Sequence, residues 1–365
     1  MHTAYQGKRV LVTGHTGFKG AWLTQWLLDM DAEVAGYALD PQPHEILFDQ
    51  LNLGSRLAFD RRADLSERPA LNQLVADFSP EIILHLAAQP LVRLAYQIPV
   101  ETFTTNVLGT VHLLEAVRLN ERPCAVVCIT TDKCYENREW LHSYREEDPM
   151  GGHDPYSASK GAAELAIAAY RSSFFPPNGN TLVASARAGN VIGGGDWAKD
   201  RIVPDCIRAI RKGESISVRN KVATRPWQHV LEPLSGYLWL CAQLSNPIHC
   251  QSNAALCSGF NFGPTLTSNR TVAQLVEELT RHTGGQWADA SEPNAPHEAS
   301  KLNLAIDKAF HLLGWQPVWD FEQTLAKTAE WYLAEAHGKD VVEITQKQIE
   351  SYTNAAAEKQ LSWAI

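Results

Sequence analysis

Short runs of β-branched residues alternate with amphipathic stretches from residue 8 onwards, and this alternation restricts the fold more than any other feature of the sequence. The expected strands are Arg9–Val12, Glu33–Leu39, Glu81–Ala87, Cys124–Thr130 and Thr181–Arg187. The expected helices between them are Ala21–Met30, Pro69–Phe78, Val100–Leu119 and Pro155–Arg171. Strands that alternate with helices form right-handed βαβ units around a parallel sheet. We therefore predict an α/β fold with a doubly wound parallel sheet of about six or seven strands.

The chain is long enough for two domains. It has 365 residues, whereas a typical domain has roughly 150. After residue 188 a glycine-rich loop leads into shorter elements with more Pro, Trp and Asn, which indicates a smaller α/β domain over residues 189–354. Residues from about 222 to 245 include an amphipathic helical pattern, and we expect them to pack back on the first domain, residues 1–188. Residues 355–365 carry little pattern and are expected to be a frayed tail.

Composition and charge exclude several classes of protein. No apolar run approaches the roughly 18 residues of a membrane span, and the N-terminus lacks the apolar segment of a signal peptide, so the cytoplasm is the expected location. The seven cysteines are scattered without a C-x-x-C pair, which favours reduced thiols and argues against a metal site. The net charge of −9, without a block of Lys and Arg, argues against nucleic acid and membrane surfaces as partners.

A glycine-rich turn lies between the first expected strand and the first expected helix. The sequence from Thr13 to Gly20 is TGHTGFKG, with glycines in the pattern G-x-x-G-x-x-G. Residues without a Cβ let the backbone approach a pyrophosphate, which then binds the N–H groups at the helix N-terminus. The pattern also fits a tight turn without a ligand. Because the turn joins a strand to a helix, we predict a dinucleotide site that includes Gly14, Thr16, Gly17, Phe18, Lys19 and Gly20.

Acidic and small residues after later strands extend this predicted site. Asp40 follows the second strand about twenty residues after the glycine turn, where a carboxylate binds the ribose hydroxyls and repels a 2′-phosphate. This favours NAD over NADP, although the residue also fits a turn acid before a proline. Asp64 and Leu65 are placed to hold the adenine edge, unless they only belong to the start of the next helix. Ala87 and Ala88 have small side chains, which suit either a close cofactor or plain helix packing.

Two further motifs place hydroxyl and charged groups near the same sheet edge. The strand 124–130 leads into Thr131, and ligands of open α/β sheets bind at the carboxyl ends of strands. Tyr156 and Lys160 lie one turn apart on one face of a helix. A phenol with a pKa near 10 becomes a base at neutral pH only if its pKa falls by about three units, which takes roughly 4 kcal/mol. A lysine and a positively charged nicotinamide can supply this free energy, so we predict that Thr131, Tyr156 and Lys160 form a catalytic set. The alternative is that the tyrosine and the lysine only belong to an ordinary amphipathic helix.

These motifs resemble those of the extended short-chain dehydrogenase/reductase family, and within it the nucleoside-diphosphate-sugar 4,6-dehydratases. The resemblance runs over roughly residues 8–335, in the segments TGHTGFKG (13–20), HLAAQP (85–90), TNVLGTVHLLEA (105–116), TTDKCYEN (130–137), YSASK (156–160), RAGNVIGGGDW (187–197) and RPWQHVLEPLSGYL (225–238). It implies a Rossmann-like fold, bound NAD, and CDP-glucose as the nucleotide-sugar substrate. It also implies oxidation at C4, loss of water across C5 and C6, and return of the hydride to C6.

The resemblance implies roles for individual residues of the catalytic set. Tyr156 would take the proton of the C4 hydroxyl, and Asp132 would protonate the departing C6 hydroxyl. Most sugar-nucleotide dehydratases of the family have Thr-Asp-Glu where this chain has Thr131-Asp132-Lys133. An ammonium group must lose about three pKa units before it can act as a base at neutral pH. Lys133 is therefore expected either as the base at C5 or as a group that stabilises the enolate.

Residues expected to bind the substrate come from several segments. Arg225 and Asn190 correspond to residues that the family uses on the substrate pyrophosphate. The further candidates are Arg201 and His229 for the same group, and Gln89 and Arg93 for the sugar. Asn106 lies within an expected helix, where Asn is unfavourable unless its side chain bonds something, and the family has an asparagine near the cofactor there.

The helix around Asn106 also has an apolar face. Its residues are Val107, Val111, Leu114 and Val117. Extended members of the family pair helices of this kind into four-helix interfaces, so a homodimer is expected, or a tetramer built from it.

Three functions are compared. A dehydratase, which is a lyase, needs the tyrosine and lysine together with an acid and a base at C6 and C5. A 4-epimerase needs only the first pair, so Asp132 and Lys133 argue against it. A protein that only binds NAD has no use for a tyrosine with a depressed pKa. His85 is expected to make a local structural bond and not to bind a metal.

Overall fold

The computed structural model describes residues 1–41, 47–246, 254–291 and 301–365. Its strands are β1 (Arg9–Thr13), β2 (Glu33–Ala38), β3 (Phe59–Arg62), β4 (Ile82–His85), β5 (Cys124–Ile129), β6 (Thr181–Arg187), β7 (Val191–Ile192), β8 (Ile216–Val218), β9 (Thr224–Pro226), β10 (Gln228–His229), β11 (Gly259–Asn261), β12 (Asn269–Thr271) and β13 (Trp287–Asp289). Its helices are α1 (His2–Tyr5), α2 (Phe18–Asp29), α3 (Leu47–Gln50), α4 (Arg68–Phe78), α5 (Val92–Gln97), α6 (Pro99–Phe103), α7 (Gly109–Asn120), α8 (Pro155–Phe174), α9 (Ile202–Lys212), α10 (Leu231–Ser245), α11 (Val272–Thr283), α12 (Asp307–Leu313), α13 (Phe321–Ala336) and α14 (Val341–Glu358).

Seven parallel strands form the central sheet, in the order β11-β6-β5-β4-β1-β2-β3. All six residues of β5 are buried, as expected for a strand that is covered by helices on both faces. From β1 the chain fills one half of the sheet and then crosses to β4 to fill the other half. A ligand site in such a sheet lies at the carboxyl ends of the strands beside this reversal. The predicted doubly wound sheet is confirmed, and its seventh strand, β11, comes from the second half of the chain.

Alternate residues of the strands supply two separate apolar layers. Val10, Leu84 and Val127 point to one face of the sheet and join the larger core. Leu11 and Ile83 point to the other face and join the smaller core under α4 and α7. Because both faces are covered, the strands read as continuous apolar runs and not as alternating ones.

One helix from the second half of the chain packs on this sheet. α10 begins at Leu231, inside the range of about 222 to 245 that carries the helical pattern, because the preceding residues form β9 and β10. Tyr5 donates a hydrogen bond to the Leu238 carbonyl at 2.7 Å, and the Cys241 Sγ lies 3.7 Å from the Ala125 carbonyl oxygen of β5. Residues of the second half thus cover β4 to β6, while the division into two domains near residue 188 stays a prediction.

The segment expected as one helix over 100–119 has three parts. A π-helical segment, Thr104–Leu108, joins α6 to α7 and contains Asn106. The expectation of an outer apolar face is wrong for Leu114 and Val117, which are buried in the chain's own core. α7 packs between α4 and α8, so its inner positions are used within the chain.

The C-terminal residues also correct an expectation. α14 extends through Glu358, and Trp363 beyond it is 1% exposed. The Trp363 ring stacks on Tyr352 with 5.7 Å between ring centroids, and its carbonyl accepts a hydrogen bond from the Met1 amino group at 3.0 Å. Residues 355–365 are therefore packed and not a frayed tail, because a large aromatic side chain ties them to the core.

The described ranges contain no helix with the length and apolar character needed to span a bilayer. The six cysteines in these ranges are buried, and none forms a disulfide. Within the same residues, no three His, Cys, Asp or Glu side chains are grouped so that they could hold a metal ion.

Candidate active site

The glycine turn between β1 and α2 is shaped by contacts inside the protein. Gly14 has a φ of +75°, which favours glycine, and a Cβ there would lie 2.7 Å from the Ala87 nitrogen at the end of β4. A Cβ at Gly20 would overlap the Gly14 carbonyl oxygen. Both glycines are thus required for α2 to lie close against the ends of β1 and β4.

Gly17 is different, because nothing in the described part of the chain requires a glycine there. Its φ is −76°, and a Cβ would meet only the Gly14 carbonyl oxygen at an ordinary 3.5 Å. Among the described residues no side chain caps α2, so the N–H groups of its first turn have no side-chain acceptor there. Close approach of a pyrophosphate would explain both the glycine and the uncapped helix end. The turn therefore fits the phosphates of NAD.

The residues expected near the adenosine lie around the ends of β2 and β3. Thr16 donates a hydrogen bond to the Leu39 carbonyl at 3.2 Å, and Asp40 is exposed just beyond it. Asp64 accepts the Ser66 N–H at 2.8 Å, so one of its carboxylate oxygens serves the local turn. Leu65 is buried against Gly109, where a Cβ would crowd it. Asp40 is thus exposed at the end of β2, and its contact with the ribose hydroxyls stays a prediction.

The end of β4 is tied to β1 through side chains. His85 bonds the Thr13 hydroxyl at 2.7 Å and the Thr110 hydroxyl at 3.1 Å, and Thr13 also accepts the Ala87 N–H at 3.2 Å. Burial lowers the pKa of His85 to about 3, so the ring is neutral. The expected structural role of His85 is confirmed, and its bonds place Ala87 and Ala88 half-buried beside the glycine turn.

A 3₁₀ turn after β5, Asp132–Cys134, carries the acid and the lysine. Thr131 caps this turn, and its hydroxyl donates to the Asp132 Oδ1 at 2.9 Å. The Lys133 Nζ lies 3.5 Å from the same oxygen, and the Asn190 Nδ2 donates to the Asp132 Oδ2 at 3.1 Å. A Cβ at Gly189 would overlap this carboxylate. Asp132, which is 1% exposed, is thus held from three sides.

Tyr156 and Lys160 lie at the start of α8, whose first turn is capped by Asp154. Burial raises the pKa of Tyr156 to about 12, while its hydrogen bond with Thr131 and the charge of Arg201 act in the opposite direction. Burial lowers the pKa of Lys160 to about 8, and its Nζ donates to the Ile129 carbonyl at 3.4 Å. The fold thus brings Tyr156 and Thr131 together, and a phenolate would need further positive charge beside it.

Asn106 has the bonds that its place within a helix requires. Its side chain accepts the Gln89 N–H at 2.8 Å and donates to the Ser159 hydroxyl at 2.8 Å. Ser159 in turn donates to the Tyr156 carbonyl at 2.7 Å. The Gln89 side chain bonds its own loop and Thr102, so Gln89 and Asn106 connect the loop after β4 to the first turn of α8.

Further cations approach the catalytic turn from α2 and from the loop before α9. Burial, followed by the charge of Arg201, lowers the pKa of Lys19 to about 7. Arg201 forms an ion pair with the buried Asp196 at 2.9 Å, and its charge acts on Tyr156. Phe18 packs under Gly193 of the glycine-rich loop. Arg201 was predicted as a substrate contact, but its ion pair with Asp196 was not, although the two opposite charges lie only five residues apart in the sequence.

Three further candidates for the substrate side have partners within the chain. His229 is fully buried and packs edge-on against Trp22 and Trp319, so its expected contact with the substrate is wrong. Arg93 is 3.6 Å from Asp200 in an exposed ion pair. Arg225 lies on β9, opposite Arg270 of β12, and donates to the Thr224 carbonyl at 2.8 Å.

With the glycine turn and the tyrosine–lysine helix at one reversal of a doubly wound sheet, the molecule is an extended short-chain dehydrogenase/reductase. Within that class, the chain belongs to the GDP-mannose 4,6 dehydratase family, whose sequence model matches residues 11–328. It is 47% identical to the CDP-glucose 4,6-dehydratase of Salmonella typhimurium, with 96% of this chain and 98% of that protein covered. It is 24% identical to the dTDP-glucose 4,6-dehydratase of Shigella flexneri, with 89% of this chain and 93% of that protein covered.

Solved structures share the fold. The dTDP-glucose 4,6-dehydratase of Streptomyces venezuelae, solved with NAD and TYD bound, gives a TM-score of 0.76 at 21% identity and covers 92% of this chain and 99% of its own. The UDP-glucose 4-epimerase of Thermotoga maritima, solved with UDP-glucose, also gives 0.76, at 20% identity, over 90% of this chain and 99% of its own. These similarities confirm the Rossmann-like architecture.

Proposed function

We propose that this chain converts CDP-D-glucose to CDP-4-dehydro-6-deoxy-D-glucose and water, with NAD as its cofactor. The observation that supports the proposal is the contact between the Thr131–Lys133 turn and Tyr156 of α8, because the residues proposed to act at C4 then lie beside those proposed to act at C5 and C6. The relative that is 47% identical over almost the whole chain supports cytidine as the base of the substrate.

NAD would accept a hydride from C4 of the sugar and return it to C6. The glycine turn would bind its pyrophosphate, Asp40 its adenosine ribose, and Lys160 its nicotinamide ribose. The uncapped N-terminus of α2 and the glycine at position 17 support this placement of the pyrophosphate.

Tyr156 would act as the base at the C4 hydroxyl, with Thr131 holding the same oxygen. The phenol is protonated in the chain alone, because burial raises its pKa to about 12. Positive charge from Lys160 and from the bound nicotinamide would favour the phenolate. The 4-ketone then acidifies the C5 proton, which makes loss of water possible.

Asp132 and Lys133 would serve the elimination step. Asp132 would protonate the leaving C6 hydroxyl, and the three side chains that hold its carboxylate in one orientation support this role. Lys133, which is half-buried, would face C5 either as the base or as the cation that stabilises the enolate. Asn190, which bonds Asp132, would connect this step to the substrate pyrophosphate.

The remaining contacts belong to the same proposal. Arg201, fixed by Asp196, and Arg225 would bind the pyrophosphate, and Gln89 and Arg93 would lie toward the sugar. We also propose a cytoplasmic homodimer, or a tetramer built from it, through helices α6 to α8. The exposed Val100, Phe103 and Leu108 support this contact.

The proposal is tested by incubating the protein with NAD and with CDP-, dTDP-, GDP- or UDP-glucose in deuterated water, and measuring product masses. We expect loss of water and one deuterium at C5, with CDP-glucose only. A product of unchanged formula with altered C4 configuration would instead indicate an epimerase. No reaction with any of the four, while NAD binds, would indicate a binding protein.

A matched pair of variants tests the role of Tyr156. Tyr156→Phe should lower kcat by about 10² to 10⁴, because the base is removed, while NAD binding is retained. The control is Tyr170→Phe, at a half-buried tyrosine of the same helix that bonds Glu115 at 3.5 Å. Equal activity of the two variants would contradict the assignment.

A further inference from the structure

A buried carboxylate lies on the catalytic face of α8. Glu164 follows Lys160 by four residues and Tyr156 by eight, so the three side chains lie along one side of the helix. Glu164 is 4% exposed, although a carboxylate is costly to bury unless it is well paired. None of the steps proposed above uses it.

The bonds of Glu164 reach two strands of the sheet. It accepts hydrogen bonds from the Thr130 hydroxyl at the end of β5, from the Ser185 hydroxyl at 2.7 Å and from the Arg187 Nη2 at 2.9 Å. Burial raises the pKa of Glu164, but the charge of Arg187 and the hydrogen bonds outweigh this effect, so the pKa lies below its usual value. The carboxylate is therefore ionised.

Its partner, Arg187, reaches the other end of the catalytic turn. The Arg187 Nη1 donates to the Tyr135 hydroxyl at 2.7 Å, and the Tyr135 hydroxyl donates to the Asn261 Oδ1 at 2.7 Å. The ion pair is thus bonded to Thr130, just before the Thr131–Cys134 turn, and to Tyr135, just after it. A single buried unit holds the turn from both ends.

The charge of Glu164 also acts on Lys160. Burial lowers the pKa of Lys160, and Glu164 is the largest opposing influence in the described part of the chain. The titratable groups that face Lys160 are Glu164 on α8, Cys128 on β5, Cys134 in the catalytic turn, His85 on β4 and Lys19 on α2. Burial raises the pKa of both thiols and keeps His85 neutral, so the two cysteines and the histidine add no charge near Lys160. Arg187 on β6 and Arg171 on α8 face Glu164.

We propose that Glu164 is a positioning residue: its charge keeps Lys160 in the ammonium form, and its pair with Arg187 holds the catalytic turn against α8. This inference rests on the proposed function. Glu164 would be a fixed negative charge near Lys160, the lysine whose positive charge favours the phenolate of Tyr156.

Glu164→Gln tests the charge while keeping most of the shape. We expect the pKa of Lys160 to fall by about one unit, because an opposite charge nearby is removed. The apparent pKa of the alkaline limb of the kcat–pH profile with CDP-glucose should fall by the same amount. The variant would then be close to wild type at pH 6.5 and roughly tenfold slower above the limb. The pKa of Lys160 is measured directly by NMR titration of protein labelled with ¹³Cε-lysine, with the signal assigned through Lys160→Arg.

Two other variants separate charge from packing. Glu115→Gln is the matched control, since Glu115 lies on α7 and pairs with Arg118 at 2.7 Å, away from Lys160. It should leave both measurements unchanged. The double variant Glu164→Gln/Arg187→Met removes the buried pair as a unit, which proteins often tolerate. It should shift the limb as Glu164→Gln does, and it serves if the single variant does not fold.

The inference is overturned if the folded Glu164→Gln protein, or the folded double variant, has the same Lys160 pKa as wild type. It is also overturned if kcat of Glu164→Gln falls equally at every pH, as a purely structural role would give. Failure of the wild type to convert CDP-glucose would contradict the proposed function. The NMR titration would still decide the role of Glu164, because it needs no turnover.

Discussion

Gly17 and Gly20 are three residues apart in the same turn, yet different physical causes explain them. A Cβ at Gly20 would overlap the backbone of Gly14, whereas a Cβ at Gly17 would meet, among the described residues, only the Gly14 carbonyl oxygen at an ordinary 3.5 Å. Gly20 is thus a requirement of the fold, whereas the proposed binding of a pyrophosphate would explain Gly17.

This difference predicts opposite effects of the same substitution. Gly20→Ala should lower the free energy of unfolding by at least about 2 kcal/mol, because the backbone must shift to admit the methyl group. Gly17→Ala should change it by less than about 1 kcal/mol but weaken NAD binding by about tenfold or more. Urea unfolding and calorimetric titration with NAD measure the two quantities. Equal NAD affinity of Gly17→Ala and wild type would contradict the placement of the pyrophosphate.

At the scale of elements, the C-terminal helix shows how a weakly patterned segment becomes part of the core. α14 packs on α13 and α2, and its Tyr352 donates to the buried Glu232 at 2.8 Å. Trp363 then covers Tyr352 and Trp26. The segment closes the larger apolar layer behind the glycine turn, so its loss would loosen α2.

Two substitutions in this segment test that role. Trp363→Ala should destabilise the protein by about 3 to 5 kcal/mol, since it leaves a cavity in place of a buried indole. Ile365→Ala, at a side chain that is 80% exposed, should change stability by less than about 0.5 kcal/mol. Chemical unfolding of both variants gives the comparison. Equal stability of Trp363→Ala and Ile365→Ala would contradict the burial of Trp363 in the core.

For the whole molecule, buried neutral histidines connect stability to pH. Burial lowers the pKa of both His85 and His229 to about 3, from an ordinary value of 6.5. These pKa values lie below those of the unfolded chain, so the unfolded chain binds protons first as the pH falls. The histidines therefore favour the folded state above pH 6.5, and this contribution is lost progressively as the pH falls toward 3.

We expect stability to fall between pH 6.5 and 5 by up to about 1.4 kcal/mol per pH unit for each of these histidines. His85→Asn should make the decline shallower, whatever its effect on stability at pH 7. The control is His311→Asn, at an exposed position of α12. The free energy of unfolding, measured by urea titration at each pH, gives the slopes. A slope for His85→Asn equal to that of wild type would refute the argument.

Local patterns were sufficient to predict five of the seven strands of the sheet, the glycine turn and the tyrosine–lysine helix. The strand Thr181–Arg187 has the predicted bounds, since a mostly apolar run between turns that contain Gly and Asn is defined by neighbours in the chain. Contacts across the chain were not predictable in this way. His229 and Trp363 have ordinary sequence surroundings, and only the packing of Trp22 and Tyr352 against them shows that both are buried.

The sequence by itself determined the α/β class, the place of the dinucleotide turn and the residue types of the catalytic set, because these depend on periodicity and short spacing. The tertiary structure decided which side chains meet: Asn190 with Asp132, Arg201 with Asp196, and Glu164 with Arg187. Such pairs join segments that lie far apart in the chain or in a loop without a regular pattern. Their distances follow from how helices and strands pack, and no local spacing encodes that packing.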